Sequence, residues 1–277
     1  MIEELGKAAP IRLVCELMGY PRSSYYAWLR REPQIDQRLL DQVDLVRRIH
    51  ESNRGSYGSR RMVKELSNRG LEVGRHRART LMRRAGVRAR QHRRHKYQSL
   101  GPQALTAPNV LDRQFNPEAP NRVWAGDITY IPTQQGWLYL AIVVDLFSRR
   151  VVGWAHSHEA GAWLAVRALQ GALRQRLPGG GLLFHSDQGR QYTSHAMAEI
   201  LRDNGMTQSM SRKGNCWDNA VVERVFATLK GEWLYSKYPS RQEAVADIEQ
   251  FVDWYNHRRL HNANGLVPPA LHEAQAA

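Results

Sequence analysis

The chain has 277 residues, 42% of them hydrophobic, enough for one to three globular domains with at least one sizeable core. Leu140 to Val144, the longest apolar run near its middle, is too short to span a bilayer, and the N-terminal MIEELGKAAP lacks the apolar stretch of a secretory signal, so a cytoplasmic protein is expected. The formal net charge is +14 and unevenly placed: residues 1–118 carry 24 Lys and Arg against 12 Asp and Glu, and residues 119–277 carry 16 against 14. Between Arg60 and Lys96 stand 14 basic and 2 acidic residues, the footprint of a phosphate-backbone binder. Cys15 and Cys216 form neither a disulfide framework nor a zinc site built on close Cys pairs; Cys15 reads as a core residue.

In chain order, Ile11, Val14, Cys15 and Met18 recur at the spacing of one apolar helical stripe. Gly19 suits a turn and Pro21 the start of a second helix carrying Ser23, Ser24, Tyr25, Tyr26 and Trp28. Residues 1–33 therefore read as a helix-turn-helix whose second helix offers Ser23, Ser24 and Tyr25 to DNA. Residues 34–95 read as a second, basic helical domain: Leu39, Val43 and Val46 mark one helix, Met62, Val63 and Leu66 another, and Arg75 to Arg84 a third with Leu81 and Met82 inward. Arg60, Arg61, Lys64, Arg75, Arg77, Arg79, Arg83 and Arg84 are its candidate phosphate contacts. The strip RARQHRRHKYQ has no apolar period, and His92 and His95 within it read as basic residues, not metal ligands. Pro102, Pro108 and Pro117 mark residues 96–118 as a linker.

From Val123 the texture changes. WAGDITYIPT, WLYLAIVVDLFSR and RVVGWAHS predict three antiparallel strands joined by short loops. A helix is expected over Ala160 to Arg176, a buried strand in GLLFHSD, a helix over Ser194 to Asn204, and a short strand in TQSMS. Val222, Phe226, Leu229 and Trp233 predict a helix over Asn219 to Trp233, and a last helix turns Ala244, Ile248, Phe251, Val252 and Tyr255 inward. The fold class is α/β: a mixed five-stranded sheet flanked by helices and preceded by small all-α domains.

Three acids stand out. Asp127 interrupts an apolar strand, Asp187 ends one, and Glu223 lies on a helix. Carboxylates in such places need partners, and clustered carboxylates suit hard cations such as Mg²⁺ or Mn²⁺. The alternative for each, taken alone, is a structural Asp or a surface Glu.

The words around them narrow the choice. W124-A-G-D127-I-T-Y-I, H185-S-D187-Q-G-R-Q-Y192-T-S and D218-N-A-V-V-E223-R-V-F-A-T-L-K230 resemble the catalytic core of retroviral-integrase-like transposases. The insertion-sequence family whose enzyme is made by frameshifting between two reading frames (the IS-three family) matches best, this chain resembling the second-frame product. The 35 residues between Asp187 and Glu223 have that family's DDE spacing, and V144-D-L-F-S-R-R-V-V-G-W154, Y255-N-H-R-R-L-H261, R22-S-S-Y-Y-A-W28 and S56-Y-G-S-R-R61 extend the resemblance over nearly the whole chain. It implies a ribonuclease-H-like core over residues 119–277, with a C-terminal helical extension, that cleaves and joins DNA strands. It also implies two Mg²⁺ ions, Asp127 touching both and Asp187 and Glu223 one each. Terminal inverted repeats and target DNA, a homo-oligomer, and an upstream-frame segment are the implied partners.

Other residues are weighed beside these. Lys230, Arg212, Lys213 and Asn219 are expected to touch DNA; Asn219, Glu223 and Lys230 share a helix face. Asp145 precedes a turn-like stretch and reads as structural, not as a fourth metal ligand. His257 and His261 have metal spacing but no third ligand, so packing or DNA contact is favoured. A hydrolytic nuclease would not need the basic helical region, a regulator would not need the three acids, and a retroviral integrase would carry a His/His/Cys/Cys site that is missing.

Overall fold

The computed structural model describes residues 4, 9–30, 36–90, 106–212, 216–234 and 237–276. They divide into two units, residues 1–45 and 46–277. In the first, α1 (Ile11–Leu17) and α2 (Arg22–Leu29) flank a turn in which Gly19 takes φ +59°, and Val14, Cys15 and Tyr25 are buried. Two expectations fail here. Met18 is exposed, because α1 ends before it and its side chain leaves the stripe. Tyr25 points inward beside the rings of Tyr26 and Trp28, so of the three residues expected to meet DNA only Ser23 and Ser24 are accessible.

α3 (Gln37–Ser52) runs across the division. α4 (Ser59–Asn68) and α5 (Arg75–Arg84) follow, packed on each other through Met62, Leu66, Ala78 and Leu81, with Met82 also buried. Arg60, Arg75, Arg77, Arg79, Arg83 and Arg84 stand exposed and Lys64 half-buried. These helices are fastened to the C-terminal part of the chain. The Tyr57 hydroxyl accepts from the Leu260 N–H at 3.0 Å, and Trp254 Nε1 donates to Asn53 Oδ1 at 3.2 Å. Arg54 pairs with Asp247 at 2.7 Å, and Arg90 donates to the carbonyls of Glu232 and Leu234 at 3.1 and 2.9 Å.

The sheet has the order β3-β2-β1-β4-β5. β1 (Val123–Thr133), β2 (Gly136–Asp145) and β3 (Val151–Ser157) are antiparallel, whereas β4 (Leu183–Ser186) and β5 (Thr207–Met210) run parallel to β1. The β-branched and aliphatic run Leu140–Val144 is buried on both faces, as a central strand requires. α6 (Ala162–Arg176) and α7 (His195–Asp203) close a core of Trp124, Ala141, Val143, Leu164, Ala168, Leu169, Phe184 and Met197. Gly153 allows α6 to approach β3, since a side chain there would strike the backbone of Ala168 and Ala172. α8 (Ala220–Thr228) packs on β1, α9 (Arg241–His257) on β1, β2 and β3, and α10 (Pro269–Ala276) on α9. This is the ribonuclease-H-like mixed sheet with helices on it that the sequence led us to expect.

Two helical expectations shift. The run Asn219–Trp233 is not one α-helix: a 3₁₀ turn, Cys216–Asn219, precedes α8 and a π-helix, Leu229–Trp233, follows it. On α9, Trp254 is buried where Val252 was expected and Val252 is only half-buried, because Trp254 packs on Trp233 and Phe251. Ahead of the sheet, residues 108–111 lie against β5: the Met210 N–H donates to the Pro108 carbonyl at 3.2 Å, Ser209 Oγ accepts from the Val110 and Leu111 N–H groups at 3.0 and 3.1 Å, and Leu111 is buried. Covering that edge satisfies strand groups that would otherwise be open to pairing. Among the described residues, no helix is long and apolar enough to cross a membrane.

Candidate active site

Parallel pairing of β1 with β4 ends at Gly126↔Ser186. The next residues on the two strands are Asp127 and Asp187, so the register alone sets these acids side by side at adjacent strand positions. Each is oriented by a local N–H: Ile128 donates to Asp127 Oδ1 at 2.7 Å and Gly189 to Asp187 Oδ1 at 2.9 Å. Glu223 comes from the first turn of α8. Asn219, just before that helix, donates from Nδ2 to the Gly126 carbonyl at 3.4 Å and so ties α8 to β1 one residue from Asp127.

Burial raises the Asp127 carboxyl well above the usual carboxylate range, and the charges of Asp187 and Glu223 push it further; the Ile128 N–H and Lys230 oppose this. Burial also raises Asp187, against the pull of the Gly189 N–H. Lys230 lies with its ammonium 4.8 Å from the centre of the Tyr130 ring; burial lowers its pKa and Asp127 raises it. The structure thus brings Asp127, Asp187, Glu223, Asn219 and Lys230 into one neighbourhood. Among the described residues, no three His, Cys, Asp or Glu side chains stand close enough to hold one ion as arranged here. The donor set is nonetheless all oxygen, and Asn219 Oδ1 is buried without a hydrogen-bond partner beside it.

Two expected DNA contacts are engaged elsewhere. Arg61 turns inward and pairs with Glu232 at 3.2 Å, and burial lowers its pKa. Arg212 keeps an accessible side chain but spends its guanidinium on Asp218, with Nε and Nη2 both at 2.9 Å. Lys213 lies outside the described residues, as do His92 and His95. Asp145 is fully buried and accepts from the N–H groups of Asn121 and Phe147 at 2.7 and 2.9 Å, the structural turn role expected of it. His261 packs edge-on against Tyr255, and burial holds its pKa down near about 2. His257 bonds Asp253 at 3.0 Å on its own helix.

Three features of the site went unread in the sequence. Asp218 is buried and accepts from Arg212, Arg113 and Asn109, bonds that hold it far below the usual carboxylate range and anchor the loop before α8. His185, fully buried, bridges Ser209 and Ser211 at 2.9 and 3.1 Å, and burial lowers its pKa to about 4. Gly126 leaves room for Phe184 and Tyr192, whose atoms a Cβ there would meet at 2.8 and 3.3 Å. An isolated glycine in a strand was the visible signal for that approach.

Known families and proteins match along this frame. An integrase core domain matches residues 117–216, a second integrase core domain residues 204–269, and an HTH-like domain residues 34–95. The Insertion element IS600 uncharacterized 31 kDa protein of Shigella sonnei is 38% identical over 264 residues, 93% of this chain and 96% of that one. Transposase InsF for insertion sequence IS3A of Escherichia coli (strain K12) is 35% identical over 280 residues, 98% of this chain and 96% of that one. Among solved structures, the HTLV-2 integrase catalytic core domain in complex with magnesium is 18% identical and covers 56% of this chain and 97% of that one, with a TM-score of 0.43. Near-complete matches to insertion-sequence proteins at this identity, with an integrase core laid over the sheet, place the chain in the IS3 family of insertion-sequence transposases, enzymes that transfer DNA strands.

Proposed function

We propose that Asp127, Asp187 and Glu223 are the catalytic triad of this transposase and the ligands of two Mg²⁺ ions, for which Mn²⁺ can substitute. One observation carries this reading: β1, the end of β4 and α8 bring three acids together so that Asp187 and Glu223 both raise the Asp127 carboxyl. Such repulsion costs stability unless cations enter, and an all-oxygen donor set suits a hard divalent ion. When bound, two such ions supply charge stabilisation to the attacking and leaving oxygens of an in-line phosphoryl displacement. The protein's own part is placement. The Ile128 and Gly189 N–H groups aim the two aspartates, Asn219 holds Glu223's helix on β1, and Lys230 offers its ammonium to a DNA phosphate.

Recognition of terminal inverted repeats falls to the N-terminal part, with Arg60, Lys64, Arg75, Arg77, Arg79, Arg83 and Arg84 on phosphates and Ser23 and Ser24 at the helix-turn-helix. The working division is that of the sequence: 1–33 and 34–95 for DNA, 96–118 as linker, and 119–277 as catalytic core with its extension. The enzyme works as a homo-oligomer on terminal and target DNA, joined by the upstream-frame segment, in the cytoplasm at the nucleoid.

The test uses labelled DNA carrying the element's ends, Mg²⁺, and the full chain joined to its upstream-frame segment. Asp127→Asn, Asp187→Asn and Glu223→Gln are each expected to lose cleavage and joining by at least about a thousandfold, because several kcal/mol of transition-state stabilisation go and each ~1.4 kcal/mol is tenfold in rate. DNA binding should stay near wild type. Substantial strand transfer by Asp127→Asn, or cleavage without metal by the wild type, would overturn the assignment.

A further inference from the structure

Beyond Gly126 the remaining half of β1, Asp127–Thr133, is paired with β2 but not with β4. Two large aromatic side chains stand out of this hairpin. Tyr130 is 49% exposed and Trp137 48%, and their rings meet edge to face with centroids 5.0 Å apart. Cations flank them. The Lys230 ammonium lies 4.8 Å from the Tyr130 ring centre, and Arg241 donates from Nε to the Trp137 carbonyl at 3.2 Å. Tyr130 is three residues along the strand from Asp127, about 10 Å at the rise of a β-strand. That distance is roughly three nucleotides at the ~3.4 Å rise of a DNA strand.

We propose that Trp137, braced edge to face by Tyr130, is a stacking platform for an unpaired nucleobase of the DNA strand held at Asp127, Asp187 and Glu223, with Lys230 and Arg241 on the flanking phosphates. The inference rests on the transposase reading for the presence of DNA at those acids. Aromatic faces interleaved with cations are the chemistry that holds single-stranded DNA, because every base has a π-face and every linkage a charge. Two rings between two cations are too small and too charged for the core of a stable protein interface, which buries about 1,200–2,000 Å² and excludes charge at its centre. Strand alternation turns Tyr130 and Asp127 to opposite faces of β1, and Lys230, which lies on the Tyr130 ring and feels the Asp127 charge, links the platform to the acids across the edge that β4 leaves open.

The experiment compares binding of the full chain to three probes: a blunt duplex, the same duplex with an unpaired overhang, and that duplex with the overhang's bases removed. Wild type is expected to bind the base-bearing overhang about tenfold more tightly than the abasic one. It should also quench a fluorescent purine analogue placed in the overhang. In Trp137→Ala and Tyr130→Ala this preference and the quenching should fall away while blunt-duplex binding persists, and Trp137→Phe should keep most of both. An unchanged preference in both alanine variants overturns the platform. So does a loss of self-association without DNA in place of the base preference, which would make the pair a contact between copies. Strand transfer that persists in Asp127→Asn, with the base preference of the wild type intact, speaks against the triad and leaves the platform standing.

Discussion

Two glutamates nine positions apart on the α8–π run meet opposite fates. Glu232 is buried and clamped by Arg259, whose Nε and Nη2 each donate at 2.8 Å, with Arg61 as a second partner. Glu223 instead joins Asp127 and Asp187, where acid faces acid and Asp127 is raised by both. Burial is common to both regions, so it does not tell them apart. What differs is the charge set around Glu232 and around Asp127. Around Glu232 stand two arginines, and the group binds helices together; around Asp127 the raising charges are Asp187 and Glu223 and the opposing one is Lys230, a balance that a divalent ion would shift on the proposed assignment.

The sharpest way to break this contrast is Glu232→Gln. Removing one member of a buried pair strands Arg259 and leaves Arg61 uncompensated, so the variant should lose about 3–5 kcal/mol of folding stability in denaturant melts. A loss near zero would mean that the clamp contributes little. Asp145→Asn is the milder structural case. It weakens the bonds from Asn121 and Phe147 and should cost about 1–3 kcal/mol while strand transfer per folded molecule stays near wild type. A variant that is fully stable but inactive would overturn the structural reading of Asp145.

Opposite signs are expected from pH. Below about pH 6.5 the unfolded chain takes up a proton that folded His185 refuses until about pH 4, so stability is lost as pH falls through that window. The slope is about 1.4 kcal/mol per unit for each such histidine, and His261 adds a second. The raised carboxyls of Asp127 and Asp187 act the other way in the metal-free chain: they bind protons more readily folded than unfolded, which favours the fold as pH drops. Asp127→Asn should therefore be slightly more stable than wild type at neutral pH without metal and should show a steeper acid loss. Identical pH profiles for the two proteins would remove the electrostatic argument for the site.

Much of this was open to reading in the residues. Runs such as LAIVVD and DITYI announce strands because β-branched and aromatic side chains suit a pleated, buried surface, and the acids were visible because they interrupt such runs. What could not be read depends on pairing between distant segments. Nothing local says that β4 stops beside Gly126, so the in-register placement of Asp127 and Asp187 appears only in three dimensions. Arg60 and Arg61 are adjacent and chemically alike, yet one faces solvent and the other Glu232, a residue 171 positions away. Arg212 looked like a phosphate contact because its partner Asp218 reads as part of a motif and not as a buried anchor.

The clasp at Glu232 has a bearing on how DNA is measured. Arg61 grips that side chain, and Arg90 grips the carbonyls of Glu232 and Leu234, on the same helical run that carries Glu223. The basic helices α4 and α5 are thereby held as one arm of a calliper whose other arm is the acid site. On the proposed assignment, a duplex whose phosphates lie along their arginines has the offset from those phosphates to the bond cut set by protein geometry. Adding or deleting a base pair within that span would then shift the cut by one position relative to the recognised sequence.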